Sequence, residues 1–213
     1  MILNLPKLRA KGHPWSLVFW AAVVIASTVP VAVAAFSPLL QWRQPVYIAA
    51  GFAGIIGLVV LLYQPLLAGG YMRWLPASRA RALHRWLGAG LVITVLIHVG
   101  GLWVTSPPDV VDALLFRSPT PFSVWGVTAM WAVFAAAGLA VFRKRLRLPP
   151  RVWRRIHTSL AIITVGSTIT HALLIEGAMG TMSKVSLCVA VAAATLKTIV
   201  DLKIWRSPAR NRA

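Results

Sequence analysis

Acidic residues are almost absent from this chain, which has four Asp and Glu residues against 22 Lys and Arg residues and a formal net charge of +18 at pH 7. Cysteine occurs once, at Cys188 inside an apolar run. A single cysteine excludes an intrachain disulfide and any metal site built from spaced thiolates, so we interpret Cys188 as a packing residue. Charged residues of both signs make up only 12% of the chain.

Long polar segments are also missing, and apolar runs dominate the chain instead. Hydrophobic residues make up 58% of its 213 residues, and the mean hydropathy is +0.75. A soluble core of this size does not need so much apolar sequence, so we predict an all-α polytopic membrane protein with one domain over residues 1–213. Its six predicted spans cover approximately residues 16–36, 46–68, 84–104, 122–142, 157–177 and 185–205.

The first apolar run has the composition of a signal peptide as well as that of a membrane span. Basic residues precede it, and small residues lie near its end, at 32–35. Signal-peptide cores are shorter than a full membrane crossing, whereas this run is long enough to cross. We therefore expect a retained helix. In the second run, Gly51, Gly54 and Gly57 recur at every third position, which suits close approach of another helix.

The basic residues form short clusters between the apolar runs. One side of the predicted bundle holds three of the 22 basic residues and three of the four acidic ones, whereas the other side holds 19 basic residues and one acidic residue. Cytoplasmic loops of membrane proteins carry such an excess of Lys and Arg. We therefore predict that both termini are cytoplasmic, that the surrounding partner is membrane lipid, and that the charge does not serve nucleic-acid binding.

Four of the five histidines form two equal intervals, and the fifth, His13, lies outside this pattern. His84 and His98 are fourteen positions apart in the third span, as are His157 and His171 in the fifth. Fourteen helical residues come within about 40° of four full turns and rise about 21 Å, so each pair lies on one helix face. Both spans run outward from the cytoplasm. The inner two histidines should therefore face each other, and so should the outer two.

Two sites with two imidazoles each suit haem better than a bare metal ion. A zinc site uses three or four protein ligands, and no Asp, Glu or Cys lies inside these two runs to complete one. Haem supplies four nitrogens of its own and lacks only two axial ligands. We therefore predict two b-type haems between the third and fifth spans. His84 and His157 would hold one iron, and His98 and His171 the other.

Other interpretations of the histidines stay open. A single histidine on an apolar helix is commonly a packing residue or an interhelical hydrogen-bond partner. All four together are also compatible with a transporter or scaffold that binds a transition metal or relays protons. Ionisable groups at membrane depth are costly and are usually functional, which favours paired ligands.

Arginines close to the inner histidines are candidates for binding haem propionates. Ordinary positive-inside charge explains them equally well. The candidates are Arg79, Arg81, Arg85, Arg154 and Arg155.

The residues around the histidines resemble a known family. Residues 84–98, which begin with His-Arg, and residues 151–171, which begin with Arg-Val-Trp-Arg-Arg-Ile-His, are similar to the six-helix transmembrane domain of the ferric reductase and NADPH oxidase superfamily. The likeness extends over residues 46–205. The resemblance implies two haems b at the four histidines, outward electron transfer, and a place in the bacterial inner membrane. The chain is also similar to the haem-binding membrane subunit of a bacterial periplasmic methionine sulfoxide reductase system.

The chain departs from full-length reductases of that superfamily, which continue into flavin and nicotinamide domains. Only eight residues follow Trp205, and no Gly-x-Gly-x-x-Gly motif stands after a strand. We therefore expect a separate electron donor, either a flavoprotein reductase that docks on the basic segment 143–155 or a membrane quinol. The acceptor is open between a ferric chelate, oxygen and a periplasmic reductase partner.

Overall fold

The computed structural model of the chain describes residues 14–72 and 74–203. Six of its α-helices are long and apolar enough to cross a membrane, which confirms the prediction of an all-α polytopic membrane protein. These helices are α1 (Pro14–Ala35), α2 (Pro45–Ala68), α3 (Ala77–Thr105), α5 (Pro121–Val141), α7 (Pro150–Leu174) and α8 (Thr181–Leu202). The shorter elements are a 3-10 turn (Pro38–Leu40), α4 (Pro107–Leu114) and α6 (Arg143–Leu146).

The two histidine helices begin earlier than the predicted spans. Both α3 and α7 start seven residues before their first histidine, directly after the N-cap residues Pro76 and Pro149, whose ψ angles of 142° and 140° are not helical. These added turns carry four of the five candidate arginines, Arg79 and Arg81 on α3 and Arg154 and Arg155 on α7. The inner histidines therefore lie two turns inside their helices. The predicted end of the sixth span, at residue 205, lies outside the described residues.

The helices pack as two principal pairs. α2 packs along α3, α5 packs along α7, and α8 contacts α1, α2 and α7. The two histidine helices, α3 and α7, pack mainly against α2 and α5, and not mainly against each other. Within α3 only Ala80 is buried, although this helix carries half of the histidine set. The histidine side chains thus extend into the space between the two helix pairs.

A polar cluster ties α8 to the end of α2. The Tyr71 hydroxyl donates to Asp201 Oδ2 at 2.7 Å, and Lys197 Nζ donates to the same oxygen at 2.8 Å. Burial raises the pKa of Tyr71, and its hydrogen bond to Asp201 adds to this effect, so the phenol stays protonated and donates. Deeper in the bundle, the buried Thr198 hydroxyl shares its one proton between the Pro65 carbonyl of α2 at 3.0 Å and the Ala194 carbonyl of its own helix at 2.8 Å. These contacts hold α8 in register with α2.

Candidate functional site

The structure brings the four histidines together in the predicted pairs. The ring centres of His84 and His157 are 6.3 Å apart, with 71° between the ring planes. Those of His98 and His171 are 6.4 Å apart, with 82° between the planes. Two nearly identical sites therefore lie one above the other between α3 and α7. The role of these side chains as ligands stays a prediction.

Three of the four imidazoles donate a hydrogen bond from Nδ1 to a backbone carbonyl of a neighbouring helix. The bonds join His84 to Gln64 (3.2 Å), His98 to Ala50 (2.8 Å) and His171 to Phe122 (2.8 Å). Because a carbonyl oxygen only accepts, Nδ1 carries the proton in each ring and Nε2 keeps its lone pair. Metal-binding histidines are commonly oriented by a hydrogen bond of this kind.

Two glycines make room for the outer pair of rings. A Cβ atom added at Gly126 would lie 2.7 Å from the His171 ring, and one added at Gly54 would lie 3.0 Å from His98 Nδ1. Each glycine follows, by four residues, the residue whose carbonyl accepts the hydrogen bond from that histidine. The same arrangement thus occurs on α2 and on α5.

The triplet of glycines on α2 was predicted to allow close helix approach. This prediction is confirmed for Gly54 and for Gly57, where an added Cβ would lie 3.2 Å from Thr94 Oγ1, but an added Cβ at Gly51 meets nothing within 4 Å. Sequence reasoning did not single out Gly126. Its signal in the sequence is a lone glycine near the start of an apolar span.

His157 is held differently from the other three histidines. Its Nδ1 is buried and has no hydrogen-bond partner among the described residues. Its ring stacks on Trp153, with centres 5.0 Å apart and only 8° between the planes. The Gln64 amide nitrogen is likewise buried without a partner in the described part of the chain, and it lies 3.8 Å from a Cβ added at Gly88.

All five candidate arginines are exposed. Four of them lie before the inner histidines in the first two turns of α3 and α7, and Arg85 directly follows His84. Arg81 and Arg154 each precede an inner histidine by three residues, so helical spacing puts them on the histidine face. Within residues 14–72 and 74–203, the one salt bridge joins Lys197 to Asp201, and the candidate arginines take part in none. Propionate binding by these arginines stays a prediction.

A comparison with protein families agrees with the geometry. Residues 50–168 match the family described as ferric reductase like transmembrane component, which is more than half of the chain. The chain belongs to this family. Among curated proteins and among solved structures, no match was found. The matched segment of this ferric reductase-like protein contains three of the four paired histidines, and His171 follows three residues beyond its end.

Family membership suggests transmembrane electron transfer, and ferric reductase-like domains typically bind haem. In the described residues, no group of three or more His, Cys, Asp or Glu side chains lies close enough to hold a metal ion. Each pair in this ferric reductase-like protein therefore consists of two facing imidazoles without a third such side chain in the described residues. That number suits a cofactor that brings its remaining ligands with it.

Proposed function

We propose that this ferric reductase-like protein transfers electrons across the membrane by means of two b-type haems. His84 and His157 would hold one haem, and His98 and His171 the other. The observation that carries this proposal is the separation of the paired imidazoles, 6.3 Å and 6.4 Å between ring centres.

These separations fit two imidazoles on opposite sides of one metal ion. A metal–imidazole bond is about 2 Å long, and each ring centre lies about 1.2 Å behind its nitrogen, which gives about 6.4 Å between the centres. Two imidazoles that share a direct hydrogen bond would have centres only about 5.2 Å apart. The measured separations therefore favour ligands to one shared ion over direct partners.

The orientation of the rings supports the same proposal. Three Nδ1 atoms donate to backbone carbonyls, so the Nε2 lone pairs are available for coordination. The histidine helices pack mainly against α2 and α5, so the facing imidazoles meet between two helix pairs, where a flat macrocycle would lie. Haem with two imidazole ligands has no open coordination position and supplies one-electron redox chemistry.

The orientation of the protein in the membrane follows from the charge distribution. The basic residues of α6 and of the first turns of α3 and α7 are exposed at the end of the bundle where the inner histidines lie. By the positive-inside rule this end is cytoplasmic, and both termini are too. With this orientation, the outward transfer that the family resemblance implies would carry electrons from a cytoplasmic or membrane donor to an acceptor outside the bacterial inner membrane.

The donor that fits the exposed charges is a separate flavoprotein with an acidic surface. We define the basic surface as a set of exposed cations on α6 and the start of α7. They are Arg143, Lys144, Arg145, Arg147, Arg151, Arg154 and Arg155. A cluster of one sign steers an oppositely charged partner and raises its rate of association. A quinol donor would not depend on these charges.

The identity of the electron acceptor would distinguish a ferric reductase, which reduces an external substrate itself, from a cytochrome subunit, which passes electrons to a partner enzyme. Purified protein that reduces a ferric chelate when it receives electrons would act on the external substrate itself. Reduction that requires an added periplasmic reductase would make the chain the membrane subunit of that system.

A difference spectrum tests whether the protein binds b-type haem, on which the whole proposal depends. Membranes that contain the protein, made with adequate haem, are expected to show b-type bands in the dithionite-reduced minus oxidised spectrum. The purified protein is expected to contain about two haems per chain, measured as the pyridine haemochromogen. A colourless protein would contradict electron transfer and would favour a proton or metal transporter.

A further inference from the structure

His157 lacks the constraint that orients the other three rings. The Nδ1 atoms of His84, His98 and His171 all donate to carbonyls, whereas His157 Nδ1 has no partner among the described residues. An imidazole without such a bond is free to rotate about its Cβ–Cγ bond unless a neighbour fixes its plane. The neighbour that lies parallel to its face is Trp153, one helical turn earlier on α7.

The Trp153 ring is itself fixed from two directions. Its Nε1 donates to the Leu139 carbonyl of α5 at 3.3 Å, and the Arg143 guanidinium of α6 lies 4.5 Å from its ring centre. Both contacts come from elements other than α7, so they determine the plane of the indole independently of its own helix. The parallel stack, with 8° between the planes, transmits that plane to His157.

Within the part of the chain that the structure describes, none of the other three histidines has an equivalent parallel stack. On α3 the residue four positions before His84 is Ala80, which has no ring to offer. At the outer pair, Phe122 lies 5.9 Å from His171 and edge-on, at 69°. The carbonyl of that same Phe122 already fixes the His171 ring. Stacking therefore replaces the hydrogen bond only at His157.

We infer that Trp153 is the positioning residue for His157, orienting the imidazole by stacking where the other three histidines use a backbone carbonyl. This inference rests on the proposed haem function. Without the indole, the His157 ring is free to turn away from its partner. The inner site would then hold its iron through His84 alone and would expose one coordination position.

Carbon monoxide measures that exposed position directly. Reduced haem with two histidine ligands does not bind carbon monoxide, whereas haem that has lost one ligand does. In the dithionite-reduced purified protein we expect no carbon monoxide binding in the wild type and binding by about half of the total haem in Trp153→Leu. Trp153→Phe keeps a planar ring and is expected to behave like the wild type. Trp153→Met replaces the leucine variant if that variant does not accumulate.

Phe122→Leu is the matched control at the outer pair. It removes the aromatic ring beside His171 but keeps the carbonyl that accepts its hydrogen bond, so no carbon monoxide binding is expected. Loss of about half of the haem in Trp153→Leu, together with retention in Trp153→Phe, also supports the inference, because these variants differ in the ring.

Two outcomes would overturn this role of Trp153. One is a leucine variant that holds both haems and excludes carbon monoxide as the wild type does; the other is equal binding by the leucine and phenylalanine variants. Absence of haem from the wild type itself would instead contradict the proposed function.

Discussion

At the scale of single residues, the histidine rings are oriented by main-chain carbonyls more than by other side chains. A substitution at the accepting residue leaves its carbonyl in place, so the glycines that admit the rings are more sensitive positions. Gly126 and Gly54 share this role, and the closer approach is at Gly126.

Gly126→Ala is expected to displace His171. The added Cβ would lie 2.7 Å from the ring, closer than real Cβ contacts allow, so the ring must move off its site. We expect the variant to lose about half of the total haem, measured as pyridine haemochromogen against protein. Gly54→Ala, whose contact is 3.0 Å, should lose less.

Gly138→Ala provides the control on the same helix. An added Cβ there meets nothing within 4 Å, so haem content should be unchanged and α5 should be no less stable. Equal haem loss in the Gly126 and Gly138 variants would show that helix propensity, and not contact with His171, is responsible.

His98→Ala tests the assignment of the outer pair. Removal of one axial ligand should abolish about half of the b-type absorbance and leave the inner site intact, because the inner pair shares no ligand with the outer pair. His13→Ala is the control, since His13 lies outside both histidine intervals of the sequence. If His98→Ala retained the full difference spectrum, the outer ligands would be misassigned.

At the scale of helices, α8 carries no paired histidine and instead braces α2, the helix that orients His84 and His98. Thr198→Val should destabilise the protein by about 0.6 kcal/mol, the typical value for an interhelical hydrogen bond in a membrane protein. The reason is the lost bond to the Pro65 carbonyl. Thermal unfolding in detergent measures the change.

Thr195→Val is the matched control for Thr198→Val, because it makes the same chemical change on the same helix. The Thr195 hydroxyl donates only within α8, to the Val191 carbonyl, so its loss leaves the contact with α2 intact. A decrease in stability as large as that of Thr198→Val would indicate that the bond between helices contributes nothing of its own.

The basic surface on α6 and α7 makes a prediction about the donor. Lys144→Glu combined with Arg145→Glu should slow haem reduction by a flavoprotein donor about tenfold at low salt, with a smaller effect at high salt because ions screen the charges. Stopped-flow absorbance at the b-type band measures the rate. Arg117→Glu, in the loop after α4, is the control on the opposite side of the bundle and should not change it.

Rates that respond neither to salt nor to charge reversal would exclude docking at the basic surface and would favour a quinol donor.

At the scale of the whole molecule, the charge asymmetry determines orientation. We expect a C-terminal green fluorescent protein fusion to fluoresce in bacteria and a C-terminal alkaline phosphatase fusion to be inactive, because the C-terminus is predicted to be cytoplasmic. The same two reporters placed in the loop after α4 should give the opposite results. A reversed pattern would invert the direction of electron transfer that we propose.

Much of this architecture was predictable from the sequence because the relevant signals are local. Apolar runs and basic clusters are contiguous, and the interval from His84 to His98 is a property of one helix, so hydropathy and helical period were sufficient for the six helices and the histidine faces. The stack of Trp153 on His157 is also local, since the two residues are four positions apart. Aromatic spacing on a helix could have revealed it.

Contacts between helices were decided only by the tertiary structure. His171 and Phe122 are 49 positions apart in the sequence, and His98 and Ala50 are 48 apart. Each of these pairs joins two different helices, so the periodicity of a single helix does not relate its members. Which carbonyl meets each Nδ1, and which glycine lies under each ring, depends on the choice and the register of neighbouring helices. Hydropathy and helical period describe one helix at a time, so they predict neither the partner helix nor its register.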